Sequence, residues 1–361
     1  MLDFVLRRGL EHAGGVHVLK RSLTRDNHEG DFPVWGVLLL AFTAVAFLIF
    51  ILVVSYVLED LIATLAMTET PGTAITVSAP KEAATGEEKE GLLEASPETT
   101  LVHKKPITSS IRGTLKHLRT QHGRRAYLKG FGYFMLFAFA HSWVANILFL
   151  VVPRNLFFSL VVSAAAGAIC APLHAAWTNK VLSKHSDMTF MQRIPSRGTW
   201  KVIALPAAIY AVIPYLEGFA LVAIASTFRN SNNPVLGFLQ WTAAFFVIVA
   251  STIFIVIPVM ATLVRTEASV ISEDQDIIIP FDRTFAGKFV PASLGGTGAI
   301  GFMDAWRSFE GRRRVFWLFV KSFFIMFFIM FFMFLVIGLE FFAILGNSAG
   351  PKVRQALGHP N

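Results

Sequence analysis

Residues 33–57 read PVWGVLLLAFTAVAFLIFILVVSYV, a stretch that contains no charged side chain. A helix needs about 20 apolar residues to cross roughly 30 Å of hydrocarbon, so this stretch is long enough to span a bilayer. A helix on the surface of a soluble protein would carry a polar stripe at helical spacing, and this stretch has none. It therefore predicts a transmembrane helix.

Five further stretches have the same character. Because 54% of the 361 residues are hydrophobic, a soluble fold would have to bury all six stretches on every side. We therefore predict an all-α, polytopic membrane helix bundle with added cytosolic amphipathic helices. Its six transmembrane helices are predicted at 33–57, 130–152, 156–178, 202–228, 235–264 and 315–345.

Lys and Arg are divided unequally between the two sides that six spans define. Within about 20 residues of the span ends, they are more than twice as frequent in the three long connections, which include 58–129 and 265–314. Cytosolic loops carry such an excess, so these connections are predicted to be cytosolic, and the segments 1–32 and 346–361 lumenal or extracellular. The first span alone favours the opposite direction, because three bases precede it and none follows it closely.

The first long connection changes character along its length. Residues 68–100 are rich in Thr, Ala, Gly, Pro and Glu, which favours disorder because such a segment buries too little surface to offset its ordering entropy. Within it, Glu88, Leu92 and Leu93 resemble an acidic dileucine sorting signal, which clathrin-adaptor complexes bind. An incidental Leu pair is the alternative, since the motif is short. The signal predicts an endosomal or vacuolar membrane, with the plasma membrane as the alternative and the mitochondrial inner membrane less favoured.

Residues 106–129 have the pattern of a basic amphipathic helix. Ile107, Ile111, Leu115 and Leu118 recur at helical spacing, with bases between them. Such a helix is typical of a segment that lies on the anionic cytosolic leaflet; the alternative is a positive lead-in that only orients the next span. The predicted lipid-headgroup contacts are Arg112, Lys116, Arg119, Arg124, Arg125, Arg312, Arg313 and Arg314. Because these bases lie beside spans, the net charge of +8 indicates membrane lipids as partners, and not nucleic acid.

Ionisable side chains at membrane depth are candidates for function, because burying them in hydrocarbon is costly. His141 and Glu217 lie inside the second and fourth spans, with Asn146 and Tyr210 in the same two spans. Two interpretations remain open for these four residues. They form either a proton-linked polar site or an interhelical pair that only stabilises the bundle.

Motifs of membrane-bound enzymes are missing from the sequence. The ten His residues form no HExxH pattern, and no Gly-x-Ser-x-Gly motif occurs. One cysteine, Cys170, cannot form a disulfide within the chain. We predict a non-enzymatic protein without catalytic, metal-binding or cofactor-binding residues.

The segments 172–178, 193–195, 279–288 and 304–309, with Trp200 and Lys201, carry a family resemblance. They resemble a family of multi-pass membrane proteins from filamentous fungi whose biochemical activity is not established, over about residues 127–340. The resemblance implies a fungal membrane protein and supplies no catalytic residues. We predict an integral endomembrane scaffold or a lipid- or solute-handling component. The alternatives are a small proton-linked transporter using His141 and Glu217, and a membrane-embedded lipid-modifying enzyme, which the missing motifs disfavour.

Overall fold

The computed structural model describes residues 34–70, 73–77, 99–103, 105–184, 188–227, 234–272, 274–285, 287 and 300–345. The first and seventh helices in chain order each contain a π-helical turn, at Tyr56–Ile62 and Thr252–Val256 respectively. Two 3₁₀ turns, Ile107–Ser109 and Gly123–Leu128, flank the second helix. In chain order the elements are α1 (Val34–Thr68), β1 (Thr73–Val77), β2 (Thr99–His103), α2 (Ile111–His122), α3 (Phe131–Leu148), α4 (Leu156–Leu182), α5 (Phe190–Arg193), α6 (Arg197–Thr227), α7 (Val235–Ser269), α8 (Phe302–Arg307) and α9 (Arg312–Leu345).

Among the described residues, α1, α3, α4, α6, α7 and α9 are long and apolar enough to cross a membrane. The predicted all-α polytopic bundle is therefore confirmed, and the chain is a multi-pass membrane protein. We call the side with the turn 149–155 and the α6–α7 connection the short-turn side, and the opposite one the long-loop side. On the long-loop side several helices run past the predicted span ends, because helical hydrogen bonding continues where the charged residues begin.

The first long connection holds a small antiparallel sheet. Strand β1 pairs with β2, with Ile75 opposite Leu101. The prediction of disorder for 68–100 is therefore wrong at both ends, since Thr68 closes α1 and the strands occupy Thr73–Val77 and Thr99–His103. Both strands are rich in β-branched residues, which favour extended backbone, but the average composition of the segment hides them. Glu88, Leu92 and Leu93 lie outside the described residues.

The chain forms two compact units. One contains the described residues 34–55 and 322–345, in which the first part of α1 and the last part of α9 run antiparallel. Gly36 lies against Ile344, and Thr43 donates a hydrogen bond of 2.8 Å to the carboxylate of Glu340. The other unit is Tyr56–Lys321, and it contains both polar sites described below.

The core of the Tyr56–Lys321 unit lies on the long-loop side. Tyr56, Leu118 and Trp177 are buried together there, and the Trp177 indole N–H donates to the Tyr56 hydroxyl at 3.3 Å. Helix α2 forms within the predicted 106–129 segment, but its apolar face packs on protein through the fully buried Leu118. The expectation that this apolar face enters the lipid leaflet is thus wrong for α2, while the bases on its other face remain exposed.

Helices α4 and α6 approach closely along a row of small residues. Ser163, Gly167 and Ala171 recur every four residues on α4, and Ser163 Oγ donates to the carbonyl of Ala211 on α6. A Cβ added to Gly167 would lie 2.5 Å from Ala211 Cβ and 2.7 Å from the carbonyl oxygen of Ala207. Small residues allow such contact between membrane helices, where packing supplies much of the association energy.

Replacing Gly167 with alanine is expected to destabilise the bundle by about 1–3 kcal/mol, because the added methyl group forces the two backbones apart. The matched control is Gly218→Ala on α6, where an added Cβ meets no atom within 4 Å. Alanine also favours helix at that position, so the control should melt at or slightly above the wild-type temperature. Thermal unfolding of the detergent-solubilised protein measures both variants; equal melting temperatures would contradict the proposed close packing.

Candidate functional site

A groove of about 670 Å³ lies between α3, α4 and α6. We call it the intramembrane groove. Its residues combine aromatic rings with hydroxyl, amide, imidazole and guanidinium groups. They are Phe137, Ala138, His141, Ser142, Ala145, Asn146, Phe149, Arg154, Ser159, Tyr210, Ala211, Pro214 and Tyr215.

His141 lies about 15 Å along α3 from Phe131, which places it near the middle of the span. Its Nε2 atom is buried and makes no hydrogen bond to any described residue. The ring of Phe137, one turn earlier, has its centroid 5.9 Å from that of His141. A buried nitrogen without a partner costs free energy, so this atom marks a place where a ligand group can be bound.

The groove extends from His141 towards the short-turn side. Asn146 lies further along α3, and its amide donates to the Ser142 carbonyl at 2.8 Å. Arg154, in the turn between α3 and α4, lies over the ring of Phe149, 5.3 Å from its centroid. The groove therefore runs from mid-membrane depth to a cationic end at the short turn.

Helix α6 forms the opposite wall. It contains two internal prolines, Pro206 and Pro214. Pro214 lines the groove and, lacking an N–H, cannot donate the helical hydrogen bond to the carbonyl of Tyr210 one turn earlier. Tyr210 and Tyr215 lie on either side of this break in the hydrogen-bond ladder, and both line the groove.

The four predicted intramembrane residues do not form one site. His141, Asn146 and Tyr210 share the groove, but Glu217 is not part of its lining. The Glu217 carboxylate instead accepts a 2.6 Å hydrogen bond from the hydroxyl of Ser251 on α7. The pairing of His141 with Glu217 is therefore wrong, because Glu217 lies further along α6 and meets a different helix.

A second polar cluster, which the sequence reasoning missed, joins α4 to α7. His174 Nδ1 lies 2.7 Å and 2.9 Å from the two carboxylate oxygens of Glu267, and the Thr178 hydroxyl donates to the same carboxylate. Glu267 is 1% exposed and His174 is 7% exposed. His174 and Thr178 stand one turn apart on α4, a spacing visible in the sequence. The predicted span ends at residue 264, which places Glu267 in the following connection. In the structure α7 continues to Ser269 and includes Glu267.

The two clusters meet at Tyr210. Its ring centroid is 6.1 Å from that of His174, and Phe137, another groove residue, contacts the His174 ring at 4.9 Å. Tyr210 and Phe137 thus both line the intramembrane groove and contact His174, the partner of Glu267. The groove and the His174–Glu267 pair are therefore in contact through these two rings.

The predicted headgroup contacts fall into two groups. Arg112, Lys116, Arg119, Arg124, Arg125 and Arg313 are exposed. Arg312 is also exposed but lies over the Trp306 ring, 4.5 Å from its centroid, and Arg314 is half-buried in a 3.3 Å ion pair with Glu69. Arg312 and Arg314 therefore already have partners in the fold, and the Arg314 ion pair joins α9 to the end of α1.

No group of three or more His, Cys, Asp or Glu within the described ranges is placed to hold a metal ion. Segment 172–178 contains His174 and Thr178 of the buried cluster, and segment 304–309 contains a carbonyl group that accepts from Arg265. Comparison with family models, with curated proteins and with solved structures finds no match for this chain.

Proposed function

We propose that this protein is a lipid- or solute-handling component that binds an amphipathic organic molecule in the intramembrane groove. The observation that carries the proposal is the buried Nε2 of His141, which has no hydrogen-bond partner among the described residues. Polar groups at membrane depth are costly unless they are paired. A ligand hydroxyl, carbonyl or carboxylate at His141 would supply the missing partner.

The size and lining of the groove support this class of ligand. Its volume of about 670 Å³ falls within the roughly 300–1,000 Å³ range of small-molecule sites. Aromatic walls suit an apolar body, and polar groups at several depths suit a molecule with more than one hydrogen-bonding group. Arg154, at the short-turn end, favours an acidic or phosphate group there.

A photo-crosslinking amino acid in place of Ser142 tests the proposal, because Ser142 lines the groove and is exposed. Leu136 on the same helix lies outside the groove and is 43% exposed, so it gives the matched control. The Ser142 probe is expected to label a single enriched small molecule, identified by mass spectrometry. The Leu136 probe is expected to label membrane phospholipids in proportion to their abundance.

The variant His141→Leu should reduce labelling at Ser142 by about fivefold, as expected from the loss of one hydrogen bond worth about 1 kcal/mol. The same bulk lipid mixture at both probe positions would contradict a specific ligand. Unchanged labelling in His141→Leu would contradict the role of His141.

Proton-linked transport is the second candidate, now based on different residues. Tyr210 contacts both the groove and His174, whose partner is the Glu267 carboxylate. A ligand at Tyr210 would alter the contact between His174 and Glu267. A ligand-dependent change of pH inside proteoliposomes would separate this candidate from binding alone.

The cellular setting that we propose is an endomembrane with the long-loop side facing the cytosol. Two sequence features support it, namely the dileucine-like motif, for which a clathrin adaptor would be the partner, and the excess of Lys and Arg on the long-loop side. A scaffold role would use the exposed bases of α2 on the same side.

A further inference from the structure

A second groove, of about 550 Å³, lies on the long-loop side of the Tyr56–Lys321 unit. We call it the basic groove. One wall is the segment from Lys105 to the first residue of α2, and the other is the start of α9 with the residues just before it. Its lining includes four bases, Lys105, Arg313, Arg314 and Lys321, and one acid, Glu310.

Three of these bases are available to an anion. Lys105, Arg313 and Lys321 take part in none of the ion pairs found among the described residues. Arg314 pairs with Glu69, so its main role in the groove is to hold the start of α9 against the end of α1. Glu310 offsets one positive charge, and a net positive groove remains.

The wall formed by α9 presents a regular face. Arg313, Trp317 and Lys321 follow one another at intervals of four residues, so they lie on one side of the helix. The Trp317 ring is 50% exposed and stands between the two bases, while the buried Leu318 lies deeper in the groove. This pattern occurs where the apolar part of α9 begins, at the depth where lipid headgroups meet hydrocarbon. Tryptophan is enriched at this depth, and lysine reaches it by extending its side chain.

The opposite wall adds donors suited to phosphate. The hydroxyl groups of Ser109 and Ser110 line the groove where α2 begins, and α2 points its N-terminus there. Ser110 Oγ accepts a hydrogen bond from the Gly113 N–H at 3.1 Å, which fixes this first turn. Backbone N–H groups at a helix N-terminus favour phosphate oxygens, in addition to the bases.

We propose that the basic groove binds the phosphate headgroup of an anionic glycerophospholipid. The acyl chains of that lipid would extend from the Trp317 side of the groove into the hydrocarbon. A free phosphate ion shares the headgroup chemistry but lacks these chains, so the two sources can be separated. The inference does not depend on the intramembrane groove, which lies between other helices and opens towards the short-turn side.

The test uses the full chain in nanodiscs and measures retention of added lipid by native mass spectrometry. The probes are phosphatidylcholine, phosphatidylserine and a phosphatidylinositol phosphate, with inorganic phosphate as a separate arm. The wild-type protein is expected to retain the two anionic lipids in preference to phosphatidylcholine. The double variant Arg313→Gln/Lys321→Gln should bind them at least about tenfold more weakly, since each base near a headgroup contributes measurably to binding.

The matched control is Arg197→Gln/Lys201→Gln, which removes two exposed charges from the start of α6 outside the groove. It should change retention less than twofold, and both double variants should melt at the wild-type temperature. Equal loss in the two double variants would overturn the proposal in favour of diffuse surface charge. The proposal would also be overturned if the protein retained phosphatidylcholine as strongly as the anionic lipids. Binding of inorganic phosphate as tightly as anionic lipid would overturn it too.

Discussion

Replacing Arg265 with methionine is expected to lower the melting temperature of the protein more than the same change at an exposed arginine. Arg265 is 4% exposed. Its guanidinium donates to the carbonyls of Ala305 at 2.9 Å and Met67 at 3.2 Å, and to the Ser308 hydroxyl at 2.9 Å. One side chain thus connects the end of α1, the last turns of α7 and the short helix α8.

Methionine fills most of the arginine volume but donates no hydrogen bond. Hydrogen bonds from a charged donor contribute about 1.5–3 kcal/mol each, so the loss of three at Arg265 should total at least about 3 kcal/mol. The guanidinium also lies over the ring of Phe285, 4.8 Å from its centroid, and this cation–π contact is lost with the charge. The effect is therefore larger than that expected of Gly167→Ala.

The melting temperature is measured in detergent, as the temperature at which half of the protein is no longer monodisperse. Arg119→Met is the matched control, because Arg119 is exposed on α2, and it should shift the melting temperature little. Arg265→Lys tests the geometry separately. A single ammonium cannot reach all three acceptors from one position, so this variant should fall between wild type and Arg265→Met. If Arg265→Met and Arg119→Met had the same melting temperature, the guanidinium of Arg265 would not hold α1, α7 and α8 together.

The spans could be predicted from the sequence because hydrocarbon imposes a single requirement. A stretch such as 33–57 must be apolar on every face, and this requirement is visible without knowledge of any partner. The small-residue row Ser163, Gly167 and Ala171 was also present in the sequence. Its partner on α6 could not be identified, because helix order and rotation about the helix axis are not encoded in hydropathy.

The long-loop side was predicted poorly for a related reason. Its segments are polar, which is typical of connections between spans. Polarity alone does not show which of their charged side chains are buried. Arg265, Glu267 and Glu69 are each 4% exposed or less, although the sequence analysis placed them in loops. Burial of such groups depends on partners distant in the chain. Glu69, for example, accepts from the backbone N–H of Thr108 at 3.0 Å and pairs with Arg314.

The candidate site was half predicted. His141, Asn146 and Tyr210, which were chosen by their depth along α3 and α6, line one groove. Depth alone could not show which helix lies beside each residue of α6. Seven residues place Tyr210 and Glu217 on nearly the same face of an ideal helix but about 10 Å apart along its axis, where a different helix is the neighbour. The structure places Glu217 against Ser251 instead.

The second large effect is expected from separating Glu267 from His174. In Glu267→Leu the carboxylate disappears, and the His174 Nδ1 atom and the Thr178 hydroxyl lose their buried acceptor. Removal of one partner from a buried pair costs about 3–5 kcal/mol, whereas replacement of both partners by apolar residues is often nearly neutral. Glu267→Leu and His174→Leu should therefore each melt well below wild type. The double variant should melt higher than the sum of the two losses predicts.

The four proteins of this cycle, wild type, two single variants and the double variant, isolate the coupling between the two side chains. Additive losses would show that His174 and Glu267 contribute independently to stability and would contradict their direct interaction. A double variant that melts near wild type but no longer changes internal pH with ligand would place the pair in proton coupling, because the fold would then not require it. The double variant could instead be as stable as wild type and keep its ligand labelling at Ser142. If neither this variant nor the wild type then changed internal pH with ligand, the intramembrane groove would be a binding site without proton linkage.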